Sequence, residues 1–368
     1  MAPFKEQIDR DAVTRLADAL GGAWAAFARE RFVDAATEGL APLELKARVA
    51  HVARALAGHL PQDFPSAARV VEAAVTAGAP WRGFDLWPVQ HWVMVQGIDH
   101  PATALPLVAG VTPHFSGEFA LRPFIDRDPP RVLDTLRAWA QHPDAHVRRL
   151  ASEGSRPRLP WGARVGVPYD WALEVLEALY ADPSEYVRRS VANHLNDVSH
   201  LDPDRALGLA ARWMAAPGGH GAATARHGLR TLIKRGHPAA LALVGADHAA
   251  AVVVQSLTVS PETLPIGGTV TLTLCLIAEG DAPTPVVVDY RVDYVGARGT
   301  NARTFKWCTR TLRPGVAETM VKRQHFRDVS IRTHRPGVHT VTALVNGRAA
   351  ATAAVTLVAA HEGEGQSG

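Results

Sequence analysis

HPDAHVRRLASEGSRPRLPWGAR, residues 142–164, decides how this chain is read. Pro143, Val147, Arg148 and Arg149 return as Pro183, Val187, Arg188 and Arg189, an offset of about 40 residues. A period of that length belongs to paired-helix repeats of the HEAT type. Each copy reads as a helix that ends at proline punctuation, a short turn, and a second helix capped by Asp144 in one copy and Ser184 in the next. Val147, Leu150 and Ala151 form an apolar stripe on the second helix, as do Val187, Val191 and Leu195, and these stripes must pack inward. Positions three, four and seven apart align on a helix, so Arg149, Ser152, Glu153 and Arg156 share a polar face. Arg189, Asn193, Asn196 and Asp197 make the matching face of the next copy. On periodicity alone, Arg149 and Glu153 are an ordinary i, i+4 surface pair worth a few tenths of a kcal/mol. Gly154, however, ends the helix directly after Glu153, and an arginine- and proline-rich loop then delivers Trp161 beside it, more than a connector needs.

The run VRRLASEGSRPRLPWG, preceded by HFSGEFALRPF and followed by HLNDVSH, resembles the AlkC branch of the AlkC/AlkD-like DNA alkylation repair glycosylases. The resemblance covers roughly residues 1–245, with the three blocks in the family's order. It implies a mainly α chain: an α-α superhelix of HEAT-like repeats followed by a small all-β immunoglobulin-like sandwich. It also implies excision of the cationic bases 3-methyladenine and 3-methylcytosine without flipping them out. Glu153, Glu118 and Asp197 match the family's acidic positions, and Trp161 matches the aromatic that packs against the nucleotide. Without the resemblance, Glu118 is explained by its place in the first turn of a helix that Ser116 can cap, where a carboxylate suits the helix dipole.

Composition allows this reading without requiring it. The chain has 368 residues, 47% of them hydrophobic and 20% charged, enough for two domains with substantial cores. The net charge is +3, and its distribution says more than the sum. Arg148, Arg149, Arg156 and Arg158, then Arg188 and Arg189, then Arg226 and Arg230 recur along the helical part, as a basic track along stacked repeats would. Any one cluster is equally a solvated helical face. Lys322 and Arg323 open a further basic segment with Arg327, Arg332 and Arg335. Residues 251–368 hold twelve Lys and Arg against nine Asp and Glu, so the whole basic excess lies there.

Helical periodicity with alanine-rich faces runs through the first 80 residues, and Trp81, Trp87 and Trp92 follow in a cluster suited to a core. Near Ala250 the period changes from helical to alternating. VVVQSLTVSP, TVTLTLCLIAE, PVVVDYRVDYV, ARTFKWCTRTL, HTVTALV and RAAATAAVTLV read as strands of a sandwich. Asn346-Gly347 between the last two is a type I′ hairpin signal. The basic segment falls between two strand candidates. These readings set the domains at 1–248, a HEAT-like catalytic domain, and 251–360, an Ig-like domain, with 361–368 a disordered tail.

Alternation places Cys275 on the outer face of its strand and Cys308 between Lys306 and Arg310 on a polar face, against a core disulfide. With no apolar leader and no membrane-length run, a cytoplasmic protein is expected. Among 17 histidines, His142 and His146 share a helical face but have no third ligand or HExxH or CxxC pattern, so no metal is expected, and no phosphate loop or dinucleotide fingerprint calls for a cofactor. The expected partner is double-stranded DNA with alkylated bases, bound by a monomer and not by a membrane protein. Two other classes stay open at this level: a non-catalytic helical-repeat DNA binder, which keeps the arginines but does not need Glu153 and Trp161, and a protein-interaction scaffold.

Overall fold

The computed structural model describes residues 3–328 and 333–359, so the expected tail at 361–368 and Arg332 lie outside the described residues. The chain divides into two compact units, 1–228 and 229–368.

The first unit is a stack of helices. Helix α1 (Arg10–Ala23) is capped by Asp9, whose carboxylate accepts from the Ala12 amide, and buries Val13, Leu16, Ala17 and Leu20 at helical spacing. Helices α2 (Arg29–Thr37), α3 (Leu45–His59) and α4 (Phe64–Thr76) follow, then α5 (Trp87–Gln96), α6 (Pro101–Val111) and α7 (Glu118–Arg127). Trp87 stacks on Phe115 and Phe119 at 5.4 and 5.5 Å, and Trp92 stacks on Phe64 at 5.1 Å, so both lie in the core. The repeats seen in the sequence are α8 (Pro129–Ala140) with α9 (Ala145–Gly154), and α10 (Leu173–Leu179) with α11 (Glu185–Leu201); α12 (Pro203–Ala215) and α13 (His220–Gly228) complete the unit. Leu150, Ala151, Val187, Val191 and Leu195 are all fully buried. Each large aliphatic among them contributes about 1.5–3 kcal/mol over an exposed position.

Two caps differ from expectation. Asp144 does cap α9, accepting from the His146 amide, but the Ser184 side chain caps nothing; Asp182 Oδ1 instead accepts from the Ser184 amide at 2.8 Å. Nor does Ser116 cap α7, whose N-cap position is Gly117; its hydroxyl faces Arg149.

The second unit opens with two short helices, α14 (Arg230–Lys234) and α15 (Pro238–Leu243), before the strands β1 (Val252–Ser260), β2 (Thr263–Pro265), β3 (Thr269–Ala278), β4 (Thr284–Gly296), β5 (Gly299–Leu312), β6 (Glu318–His325), β7 (Gly337–Val345) and β8 (Arg348–Val358). One sheet has the order β1-β3-β6 and the other β2-β8-β7-β4-β5. Between them lies a core of Leu272, Leu274, Val288, Val292, Val341 and Val355 among others, all fully buried. The β7–β8 turn has φ of 48° at Asn346 and 77° at Gly347, both left-handed as a type I′ hairpin needs. Strand β6 is not separable from the basic segment by sequence, because Lys322, Arg323 and His325 mask the inward positions Met320 and Gln324.

The boundary expected at 248 moves to 228. The β7–β8 turn docks on the α14–α15 link so closely that a Cβ at Gly347 would lie 2.1 Å from the Gly236 Cα. Asn346 also donates to the Asp247 carbonyl at 2.6 Å, which ties residues 229–248 to the sandwich. Cys275 lies on the outer face beside Gln255, but Cys308 departs from expectation: its Sγ is 3.3 Å from Met320 Sδ, packed against the core. The register of β4 with β5 shifts between Val288 and Asp289, and this bulge turns Trp307 and Cys308 both toward the interior. Both cysteines are free.

Candidate active site

Three elements of the first unit bring the candidate carboxylates together. Helix α9 supplies Arg149 and Glu153 from one face, the loop after it supplies Arg156, α7 supplies Glu118 from its first turn, and α11 supplies Asp197. The result is a ladder of alternating charge. Arg149 donates to Glu118 Oε2 at 3.2 Å and to Ser116 Oγ at 2.7 Å, and pairs with Glu153 Oε1 at 3.6 Å. Arg156 donates to Glu153 Oε1 at 2.7 Å and grips both oxygens of Asp197, at 2.9 and 3.2 Å. The bidentate fork fits a guanidinium and would not fit a lysine.

Glu153 is only 6% exposed, yet it is not neutralised. Burial pushes its pKa up, but Arg149 and Arg156, with the Ser190 hydroxyl, outweigh that effect and hold the carboxyl below the usual range. Arg156 is opposed by burial and favoured by Asp197 and Glu153, and its pKa ends raised. The Arg149 guanidinium also lies over the Tyr186 ring, 5.4 Å from the centroid.

The loop that carries Trp161 is anchored from below. Arg122, 1% exposed, donates to the carbonyls of Gly154 at 3.1 Å, Arg156 at 2.9 Å and Ala163. Leu159 is buried beneath the loop, while Trp161 stands 60% exposed with φ of 63°, a left-handed conformation that a bulky residue adopts only when its surroundings impose it. Its carbonyl accepts from Lys46 Nζ at 2.7 Å. Beneath the loop a cavity of about 570 Å³ is lined by Arg122, Arg158, Arg164, Tyr169 and Trp171, among others, and by none of the three carboxylates.

The expected DNA-binding arginines separate into three groups. Arg149 and Arg156 belong to the ladder. Arg148 and Arg188 play one repeated structural part instead: each donates to the two carbonyls at its own inter-helix turn, of His142 and Pro143 for Arg148 and of Asp182 and Pro183 for Arg188. Arg148 adds a bidentate grip on Asp182, at 2.6 and 3.1 Å. These bonds give both guanidiniums a part in the fold beside the phosphate contact expected of them. Arg158, Arg189 and Arg226 are exposed, Arg189 pairing with Glu185 at 2.8 Å. Arg230, half-buried, and the sandwich residues Lys322 and Arg323 belong to the second unit.

Reading the sequence missed Arg122, Ser190, His194 and Tyr186. Ser190, His194 and Asp197 do carry a signal, polar residues at i, i+4 and i+7 on one helix face. It was hidden because the apolar stripe of Val187, Val191 and Leu195 runs beside them. Among the described residues no cluster of His, Cys, Asp and Glu suits a metal ion, and no helix is long and apolar enough to cross a membrane.

A helical-repeat unit joined to an Ig-like sandwich, with a partly buried ladder of carboxylates and arginines at a repeat seam, defines the class of this chain as that of the AlkC/AlkD-like helical-repeat proteins. Residues 253–359 match the family model described as "Uncharacterised protein YhaZ, C-terminal Ig-like domain". The "Uncharacterized protein YhaZ" of Bacillus subtilis (strain 168) is 33% identical over 352 residues, covering 94% of this chain and 97% of that one. The solved structure of the Pseudomonas fluorescens alkylpurine DNA glycosylase AlkC, bound to DNA containing an abasic site analog, superposes with a TM-score of 0.90 at 36% identity, over 97% of this chain and 100% of that one. The chain belongs to the AlkC branch of that family.

Proposed function

We propose that this chain is a monofunctional DNA glycosylase of the alkyladenine type. It hydrolyses the N-glycosidic bond of cationic bases, 3-methyladenine and 3-methylcytosine, in duplex DNA, acting as a cytoplasmic monomer without a cofactor. The observation that carries the reading is Glu153: a carboxylate almost removed from water and still held ionised by Arg149, Arg156 and Ser190.

An alkylated base that already bears positive charge leaves with the glycosidic electron pair and needs no proton from the protein. The remaining barrier is the positive charge that develops on the sugar. A fixed anion at low dielectric is worth far more there than in water, and the same logic governs sugar-cation chemistry in glycoside hydrolysis. Water then bonds to C1′, and its proton passes to a carboxylate or to solvent. A glutamate held below its usual pKa suits the roles of stabiliser and proton acceptor, and does not suit that of general acid. Two of the ladder's five groups are cationic and three anionic, so it carries a net negative charge toward a cationic lesion.

Excision without flipping is part of the proposal. A base drawn into the cavity beneath the Trp161 loop would meet arginines and aromatic rings but none of the three carboxylates. Trp161, exposed and held out by its backbone, is suited to pack against the damaged nucleotide from outside. Arg158, Arg189 and Arg226 are suited to hold phosphates.

The test is release of free base from methylated duplex DNA, followed chromatographically. Release of 3-methyladenine is expected, and protein that binds this DNA and releases nothing would be a binder rather than an enzyme. No amine is proposed to attack the sugar; a borohydride-stable adduct between protein and DNA would contradict the monofunctional assignment.

A further inference from the structure

Helices α9 and α11 meet on a seam where Ser190 does more than help keep Glu153 charged. Ser190, His194 and Asp197 lie on the face of α11 turned toward α9 and are 3%, 0% and 6% exposed. Ser190 Oγ donates to Glu153 Oε2 at 2.7 Å and lies 3.2 Å from Ser152 Oγ. His194 Nδ1 is 3.1 Å from the Ser152 carbonyl, which accepts from it. A hydroxyl has one proton. Once Ser190 gives its proton to the carboxylate, the contact between the two hydroxyls runs from Ser152 to Ser190, and the direction of the whole chain is fixed.

A carboxylate offers about four lone-pair sites. On Glu153, Oε1 faces Arg156 at 2.7 Å and Arg149 at 3.6 Å, and Oε2 receives Ser190, which leaves one site on Oε2. Without a partner on Oε2, the carboxylate is held through Oε1 alone, and its last torsion, broad for glutamate, is less tightly fixed.

We propose that Ser190 is a positioning residue for base excision: its hydroxyl, oriented by Ser152, fixes the rotation of the Glu153 carboxylate so that the remaining lone pair of Oε2 is aimed at the sugar or its attacking water. This rests on the glycosylase reading and names the group that aims its central carboxylate. The charged and titratable groups around Glu153 are Arg149 on its own helix, Arg156 on the loop, Glu118 from α7, and Tyr186, His194 and Asp197 from α11. Ser190 favours the charged carboxylate, so its loss moves the acid limb of the rate profile to higher pH.

The experiment compares Ser190→Ala, Ser190→Cys and Ser190→Thr in the full chain, measuring single-turnover base release from methylated duplex across pH, and affinity for the same duplex. A hydrogen bond to a charged group is lost in the alanine variant, so release at neutral pH is expected to fall about tenfold or more, with affinity held within about twofold. Threonine, which keeps the hydroxyl, should restore most of the rate. Cysteine, of nearly serine's volume and a weak donor, should share the loss; it decides the question if the alanine variant does not fold. An active wild type whose alanine and cysteine variants keep its rate and acid limb overturns the positioning role alone. A wild type that releases no base overturns the glycosylase reading and this proposal with it.

Discussion

Glu153 combines two properties that pull against each other, burial and ionisation, and Arg156 reconciles them by serving Glu153 and Asp197 together. Glu153→Gln keeps the shape and removes the charge. Base release is expected to fall by roughly 10²-fold or more, as when one preorganised electrostatic partner is removed, with DNA affinity largely kept; an unimpaired variant would remove Glu153 from the mechanism. His194 bears on stability. Burial lowers its pKa from 6.5 to about 4, so between those values the unfolded chain binds a proton that the folded chain does not. Stability therefore falls as pH drops through this window, by roughly 3 kcal/mol at its lower end, and is untouched above it. Glu153 works in a different window: its stabilisation is present above 4.5, its ordinary value, and is lost as pH falls further. Denaturant unfolding of wild type and His194→Leu at pH 7 and 4.5 checks this, since the variant should lose less stability between the two. Equal losses would show that His194 does not set the slope.

At the scale of the element, the loop after α9 depends on a residue that precedes it by some thirty positions. Arg122 supplies by one buried guanidinium the donors for the carbonyl that ends α9 and for two carbonyls of the loop. Arg122→Met would leave those acceptors without a partner at about 1–3 kcal/mol each, freeing the segment that holds Trp161. Trypsin should then cut faster at the exposed Arg158 and Arg164, and an unchanged cleavage rate would show that the loop holds itself. The period of Pro143 and Pro183 and the stripes of Val147 and Val187 were legible because helix packing repeats them. The first turn of α7 was legible too, through Glu118. What stayed hidden depends on pairing across distance. Arg148 and Arg188 recur with the same spacing whether they grip phosphates or brace turns, and periodicity cannot separate the two. The face of Cys308 was misread because a bulge one residue away breaks the alternation on which the reading relied.

For the whole molecule, the charge distribution gives the second unit a role to test. The basic excess of the sequence falls in residues 251–368, and the structure sets part of it on strand β6 at one edge of the three-stranded sheet. Arg323 and His325 are exposed there opposite Thr271 and Thr269, while Lys322 is half-buried; Arg327 and Arg335 are also exposed. A solvated sheet face accounts for these residues, and so does a grip on the DNA backbone, but only the second makes affinity depend on salt through them. Removing residues 251–368 is a poor test, because the α14–α15 link would lose the β7–β8 turn docked on Gly236 and be left with exposed apolar surface. Changing Lys322, Arg323, Arg327 and Arg335 to glutamine in the full chain keeps the sandwich and removes four charges. If they meet phosphates, the slope of log affinity against log salt should become shallower by about 0.9 for each phosphate that is no longer neutralised. Base release at limiting enzyme should fall in parallel, while single-turnover rates at saturating enzyme stay near wild type, since none of the four lies in the carboxylate ladder. A slope equal to that of the wild type would assign this basic edge to solvent, and DNA binding would then rest on the helical unit alone.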